Sequence, residues 1–235
     1  MADNLDSDIR DQLVAIARGT ANLVPFVGGP LGEVISQVVP RQRQDRIVTY
    51  LRQLAEKLET LEKSIAKEAL SDIGKVDLIE TGGYQAARAT TRERISTIAE
   101  VVFNGIKRES AETIRRKRLL DIFGQIDDDE AMLLNAYGQS YGASNSNVWD
   151  TINRPPPAHL GSPKQDVDQE KLFELGRERL LRLGLLERKF GLVKKGEYPE
   201  FDARTGGFKG HIQISYLGRM LLRDMGAPSP FDRER

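Results

Sequence analysis

Residues 46 to 68 read RIVTYLRQLAEKLETLEKSIAKE, and apolar side chains recur in this stretch at alternating steps of four and three. These apolar positions are Ile47, Leu51, Leu54, Leu58, Leu61 and Ile65. Charged and amide side chains fill most of the positions between them. A repeat of 3.5 residues is typical of a helix whose narrow apolar seam packs against another helix. We therefore predict a long amphipathic helix from Arg41 to about Glu68, which requires a partner helix.

The partner is predicted in residues 75 to 108, where small and apolar residues recur at helical spacing. Gly82 and Gly83 stand in the middle of this stretch. Glycine weakens or kinks a helix, but the absence of a side chain also lets two helices approach closely. We expect residues 41 to 108 to form an antiparallel helical hairpin, followed by a third helix that ends near Phe123.

An apolar segment precedes the long helix. Residues 21 to 39 contain Glu33 as their one charged residue, but two prolines and three glycines interrupt the segment and disfavour a continuous membrane-spanning helix. We predict a turn followed by a short helix that ends at Pro40. Two roles stay open, a hydrophobic plug against the hairpin and a segment that contacts a membrane or mediates oligomerisation. The candidate residues for the second role are Leu23, Phe26, Val27, Leu31, Val34, Ile35 and Val38.

The charges of the chain balance overall but are segregated. The 235 residues include 35 bases and 35 acids, and the net charges are −3 for residues 1–40, +4 for 41–126, −4 for 127–167 and +3 for 168–235. There is no cysteine, which excludes a disulfide framework and suits the cytoplasm. The acidic, polar N-terminus does not resemble an export signal. We expect a cytoplasmic protein, with peripheral contact to the inner membrane as an alternative.

The sequence gives no catalytic constellation. The two histidines, His159 and His211, are 52 positions apart and lack metal-ligand spacing. Asp127 and Glu130 fit a helix-capping box. The acidic run from Asp127 to Glu130 lacks the glycine and the ligand spacing of a calcium loop. We therefore predict a protein that is not an enzyme, with no catalytic, cofactor-binding or metal-binding residue and no small-molecule substrate.

Residues 138 to 167 are rich in Gly, Ser, Asn and Pro. A loop of this length is unusual inside a compact domain, so we predict a flexible insertion, a linker or a strap that binds a partner. Trp149, the one tryptophan, lies within it. An exposed ring would indicate docking, whereas a ring packed on the helices would anchor the loop.

The C-terminal part begins with a predicted helix from Asp168, with Arg177, Arg179 and Arg182 away from its apolar inner face. The residues on that inner face are Leu172, Phe173, Gly176, Leu180 and Leu183. The chain then reads Leu183-Gly184-Leu185-Leu186, a strand, a glycine turn, a second strand and a helix capped by Ser215. This order resembles the winged-helix superfamily. The resemblance implies that the helix before the bend corresponds to a recognition helix and the hairpin to a wing.

Carried over to this chain, the resemblance implies a DNA surface made of basic residues. The candidates are Arg177, Arg179 and Arg182 on the helix and Arg188, Lys189, Lys194, Lys195 and Lys209 on the wing. Glu174 and Glu178 are close enough along the helix to pair with these arginines. This helix face therefore carries both positive and negative charge. We favour a module that contacts other proteins, and DNA binding stays the alternative.

The whole order of segments also resembles the abortive-infection alpha family of bacterial proteins. The matching residues are Gly29-Pro30-Leu31-Gly32-Glu33, the Leu183–Leu186 bend and Leu217-Gly218. The resemblance implies a role in bacterial defence against phage.

We thus expect a mainly α chain, with a long helical hairpin or bundle followed by a small winged-helix-like α+β module. The predicted divisions are residues 1–40, 41–126 and 127–235. The predicted function is an interaction protein that associates with itself through its helices or binds another protein, with an anionic membrane surface as a further contact. The alternative is a winged-helix regulator that binds DNA.

Overall fold

The structure is a computed structural model, and it describes residues 30–61, 66, 70–108, 110–140, 146–152, 154–191, 193, 196–203 and 207–232. The chain is mainly α, as the sequence predicts, with a helical bundle followed by a small α+β module. It divides into two compact units. The first unit comprises Met1–Gln125 with Asp224–Gly226, and the second comprises Ile126–Arg223 with Ala227–Arg235.

In the part of the first unit that the structure describes, four helices have defined bounds, and they are α1 (Pro30–Leu58), α2 (Ile73–Arg88), α3 (Arg92–Ile106) and α4 (Ser110–Phe123). Helices α1 and α4 each pack against both α2 and α3. In the described parts of the chain, no helix is both long enough and apolar enough to cross a bilayer.

Both predicted ends of the long helix are wrong. Helix α1 continues through Pro40, where we expected a break, and it ends at Leu58 instead of near Glu68. A proline inside a helix costs about 3 kcal/mol because one hydrogen bond is lost, and packing of the following turns against α2 and α3 can offset that cost. At the other end, the backbone N–H groups of Thr60 and Leu61 donate three residues back, which tightens the last turn.

The apolar seam of α1 is confirmed over its helical part. Its first four residues are buried, namely Ile47, Leu51, Leu54 and Leu58. Leu61 lies beyond the helix and is partly exposed, and Ile65 lies outside the described residues. The partners of the seam are α2 and α3 of the same chain. The seam is therefore covered within the bundle.

The predicted partner helix of residues 75 to 108 consists of two helices, because the chain leaves the helical conformation at residues 89 to 91 between α2 and α3. Thr91 has extended backbone angles, and its hydroxyl accepts a hydrogen bond from the Arg94 N–H at 3.1 Å. A threonine in this position caps a new helix and satisfies one of its free N–H groups. The hairpin prediction is therefore wrong at this point.

Gly82 allows three helices to meet closely. Tyr50 of α1 is fully buried, and its hydroxyl donates to the Ile79 carbonyl at 3.0 Å. A Cβ atom on Gly82 would lie 2.4 Å from that hydroxyl oxygen and 2.7 Å from Val102 Cγ2 of α3. The expectation that glycine permits close approach is confirmed here.

Ion pairs join the helices at the surface of the bundle. Lys57 Nζ of α1 lies 2.5 Å from Glu100 Oε2 of α3. Lys117 Nζ of α4 lies 2.5 Å from Asp77 Oδ2 of α2. Because these side chains are partly exposed, each pair contributes at most about 1 kcal/mol. The apolar interior is therefore the main source of stability in this unit.

The described residues of the second unit form helices, a 3-10 helix and two short antiparallel ladders. Its helices are α5 (Asp128–Ser140), the 3-10 helix Ser146–Thr151, α6 (Lys164–Arg182) and α7 (Tyr216–Asp224). Its strands are β1 (Leu186–Lys189), β2 (Phe201–Asp202), β3 (Gly207–Phe208) and β4 (His211–Ile214). Strand β1 pairs with β4, and β2 pairs with β3. The predicted order of helix, strand, strand and helix is present, with the further strands β2 and β3 between β1 and β4. The predicted glycine turn includes residues 204–206, which lie outside the described residues.

The predicted insertion at residues 138 to 167 has structure of its own at both ends. Helix α6 begins at Lys164, four residues before the predicted start, and α5 extends to Ser140. Trp149 packs edge-on against the Tyr137 ring with 4.9 Å between ring centroids. This contact supports the interpretation that Trp149 anchors the loop.

We predict that Gly82→Ala destabilises the bundle. The added methyl group would overlap with Tyr50 and Val102, which costs about 1–3 kcal/mol. This loss should exceed the gain in helix propensity of roughly 1 kcal/mol that alanine brings. Urea unfolding of the variant beside the wild type measures the difference, and a more stable variant would contradict the packing described.

Candidate interaction site

The bend after α6 fixes the end of that helix. The Leu185 N–H donates to the Leu180 carbonyl and the Gly184 N–H to the Leu181 carbonyl, both at 3.0 Å. Gly184 has φ +71°, the left-handed conformation that favours glycine at this position. Leu180 and Leu185 are fully buried. The bend therefore determines which side of α6 faces the interior of the module.

Ser215 ties the start of α7 to the same bend. Its hydroxyl accepts from the Gly218 N–H at 3.0 Å, as predicted for a helix cap, and donates to the Gly184 carbonyl at 2.5 Å. A Cβ atom on Gly218 would lie 2.2 Å from the Leu185 carbonyl oxygen. Glycine is therefore required where α7 crosses the bend.

A heptad stripe runs along one flank of α6, rotated by about 60° to 160° from Leu180 around the helix axis. It consists of residues at alternating steps of three and four, all of them exposed. These residues are Gln165, Asp168, Leu172, Leu175, Arg179 and Arg182. Leu172 is 68% exposed and Leu175 is 56% exposed. Two leucines one turn apart thus form the apolar centre of an exposed helix face.

The prediction that Leu172 faces the core is wrong. Residues eight positions apart, such as Leu172 and Leu180, differ by about 80° around a helix. Because Leu180 points into the interior, Leu172 lies at the margin of the buried side and remains mostly in solvent. Phe173 and Gly176 are partly buried, in agreement with the prediction for those two residues.

A cleft of about 720 Å³ lies between α5 and α6. Its apolar lining includes Met132, Leu133, Ile152 and Phe173 together with the two leucines of the heptad stripe. Its charged lining includes Asp127, Asp129, Glu130, Arg179 and Arg182. The apolar centre of the stripe therefore continues into the cleft, and both acids and bases border it.

Glu130 is the buried charged group of this cleft. It forms the predicted capping box, since the Asp127 N–H donates to Glu130 Oε2 at 2.9 Å and the Glu130 N–H donates to Asp127 Oδ1 at 2.8 Å. Burial raises the pKa of Glu130, against the opposing effects of the Asp127 N–H and of Arg179. Arg179 Nη1 lies 3.6 Å from Glu130 Oε1.

The three arginines assigned to a DNA-reading helix do not share one face. Arg179 and Arg182 are exposed on the heptad stripe beside the leucines. Arg177 is partly buried, its Nε atom is shielded from solvent, and its charge acts on the Tyr137 hydroxyl. Burial raises the pKa of Tyr137, and the positive charge of Arg177 opposes that effect.

The described basic residues of the wing each lie beside a carboxylate. Arg188 Nη2 is 3.6 Å from Glu178 Oε1, and Lys189 Nζ is 3.4 Å from Glu187 Oε1. Lys209 forms an ion pair with Glu200. Lys194 and Lys195 lie outside the described residues. The wing therefore presents mixed charge over the part that the structure describes.

The two histidines are both exposed. Nδ1 of His159 lies 2.5 Å from the Ser162 hydroxyl, which also accepts from the His159 backbone N–H at 2.9 Å. These contacts span three residues of one turn. Among the described residues, no group of three or more His, Asp or Glu side chains could hold a metal ion.

Sequence reasoning did not find the heptad stripe of α6. Its spacing is the same as that of the α1 seam, but two of its six residues are apolar, so a search for recurring apolar residues does not detect it. The stripe could have been found from the heptad spacing that Asp168, Arg179 and Arg182 share with the two leucines.

We predict that Glu130→Gln reduces the loss of stability as pH rises. Because the folded-state pKa of Glu130 is raised, its contribution is present at low pH and declines as the carboxyl ionises. Glutamine stays neutral and can still accept from the Asp127 N–H. We therefore expect the free energy of unfolding, measured with urea between about pH 4 and pH 7, to fall less with rising pH in the variant than in the wild type.

Glu174→Gln is the matched control for this change. The hydrogen bond from Lys171 lowers the pKa of Glu174, so the control should alter the pH dependence in the opposite direction. Parallel pH profiles for Glu130→Gln and the wild type would contradict the burial argument.

Comparisons of the chain with family models, with curated proteins and with solved structures found no match.

Proposed function

We propose that this chain is a non-enzymatic interaction protein that associates with itself through helix α6. The observation that supports this function is the exposure of Leu172 and Leu175 at the centre of the heptad stripe. Full burial of a leucine side chain contributes roughly 1.5–3 kcal/mol relative to its exposure to water. A second copy that covers both leucines would therefore be stabilised by their removal from water.

The same observation argues against reading of DNA by this helix. Contacts to phosphates and base edges are made mainly by charged and polar side chains. Here the exposed side of α6 has leucines at its centre, and Arg179 is already close to Glu130. The wing adds Arg188 and Lys189, each beside an acid. Mixed charge of this kind suits a protein surface better than a polyanion.

The α1 seam of the first unit does not support the self-association that the sequence suggested. The seam from Ile47 to Leu58 is covered by helices of the same chain, so it is not available to a second copy. The N-terminal candidates Leu23, Phe26 and Val27 lie outside the described residues. The other candidates lie on α1, where the side chains are not described, and they are Leu31, Val34, Ile35 and Val38.

Contact with a membrane or within an oligomer stays a prediction for this segment, to be checked by flotation with anionic liposomes. Defence against phage likewise stays a prediction of the family resemblance, to be checked by plaque counts on cells with and without the protein.

We expect the mass of the wild-type chain to rise with concentration from the 26.3 kDa monomer towards the dimer. Leu172→Gln combined with Leu175→Gln should weaken this association at least tenfold, about 1.4 kcal/mol, because the apolar centre of the contact is lost. Sedimentation equilibrium measures the dissociation constant.

Leu160→Gln is the matched control, since Leu160 is fully exposed and lies outside α6. This variant should associate like the wild type. A wild-type chain that remains monomeric at millimolar concentration would contradict self-association.

We also expect no strongly salt-dependent binding to duplex DNA. Several phosphate contacts would make the affinity fall steeply with salt concentration. A gel-shift titration over a range of salt concentrations tests this, with Arg179→Ala combined with Arg182→Ala as the comparison. A steep salt dependence that the two substitutions reduce would favour the DNA-binding alternative.

A further inference from the structure

We infer that two copies pair through an antiparallel contact between their α6 helices, with Leu172 of each copy against Leu175 of the other. This inference rests on the proposed self-association and specifies its orientation and register. Its basis is the heptad stripe, whose six exposed residues extend over nearly the whole of α6. Heptad spacing keeps one side of a helix in register with a neighbouring helix.

The order of residues along the stripe is complementary to itself. From Gln165 to Arg182 the stripe reads Gln, Asp, Leu, Leu, Arg, Arg. When a second stripe runs in the opposite direction with leucine against leucine, Asp168 faces Arg179 of the second copy. Gln165 then faces Arg182 of the second copy. A two-fold axis between the leucines repeats every contact, as in a closed symmetric dimer.

A parallel arrangement would bring like charges together. Arg179 would face its own counterpart, and so would Asp168. Like charges directly opposed disfavour an interface, so the charges select the antiparallel orientation while the leucines provide the attraction. A shift by one heptad would place Leu172 against a charged residue and would lose the leucine contact.

Arg179 can bind Asp168 of the second copy while it keeps its ion pair with Glu130. Its guanidinium has five N–H donors, and the ion pair with Glu130 is formed by Nη1 at 3.6 Å. Because Arg179 is exposed, other donors remain accessible to a carboxylate of a second copy. The buried acid and the carboxylate of the second copy would then bind one guanidinium from two sides.

The expected interface is small. Helix α6 has 19 residues and is therefore about 28 Å long. Exposed apolar side chains from the cleft, such as Met132, adjoin the leucines and can extend the contact. A contact of this size falls in the range of weak, reversible interfaces. We expect a dissociation constant on the order of micromolar to hundreds of micromolar.

The absence of cysteine from the chain allows a direct test of orientation. Gln165→Cys and Arg182→Cys are prepared as separate full-length proteins, mixed and oxidised. In the antiparallel register these two positions face each other, so the mixture should yield a disulfide-linked heterodimer. Either protein alone should not link, because its two thiols would be about 26 Å apart along the helices, and a disulfide requires Cα atoms within roughly 7 Å.

Charge reversal gives a second, independent measurement. Asp168→Arg and Arg179→Asp should each weaken association at least tenfold, and the combination of both should restore it. Glu200→Arg and Lys209→Asp on the wing form the matched control pair and should leave association unchanged, singly and together. Far-UV circular dichroism checks that each variant is folded.

The outcomes separate this inference from the proposed function. Linked homodimers without heterodimers would overturn the antiparallel orientation. A wild-type dimer with no linked heterodimer, or one that the charge reversals leave unchanged, would place the interface elsewhere and overturn the inference while self-association stands. A wild-type chain that stays monomeric at all concentrations would remove the proposed function itself.

Discussion

The rotation of α6 about its own axis is the constraint on which the functional surface of this protein depends. The bend at Gly184 links the Leu185 N–H to the Leu180 carbonyl, and both leucines are fully buried. Ser215 then joins the bend to the start of α7 through its hydroxyl. A helix held in this way at its C-terminal end cannot turn its leucines inward without moving Leu180 out of the core. The exposure of Leu172 and Leu175 therefore follows from contacts made elsewhere in the module.

Two heptad patterns of the same spacing have opposite environments in this chain. The α1 seam is apolar at each of its positions from Ile47 to Leu58, and α2 and α3 cover it. Close approach at Gly82 makes room for Tyr50 and allows the bundle to enclose that seam. The α6 stripe has two leucines between charged ends, and it stays exposed. A continuous apolar seam suits permanent burial, whereas a short apolar centre with charged ends suits a reversible contact.

Local signals in the sequence predicted the features that depend on a few neighbouring residues. These include the capping box of Asp127 and Glu130, the Ser215 cap and the first part of the α1 seam. The passage of α1 through Pro40 was not predicted, because proline inside a helix removes a hydrogen bond and therefore favours a helix end at that point. The break at Thr91 was missed because alanines and apolar residues continue the helical pattern on both sides of it. The orientation of α6 depends on tertiary contacts, so sequence periodicity alone placed Leu172 on the wrong side.

The distribution of charge is consistent with the same interpretation of the module. The described bases of the wing lie beside acids, and Arg179 lies beside Glu130, so these four described bases leave little unbalanced positive charge. Long-range attraction to a polyanion requires such an excess, whereas a mixed surface determines which orientation of a protein partner is acceptable. Within the heptad stripe of α6, Asp168 precedes the leucines, and Arg179 and Arg182 follow them. This order disfavours parallel pairing and supports antiparallel pairing. In the proposed contact the leucines of α6 provide the attraction, and its charged residues determine the orientation.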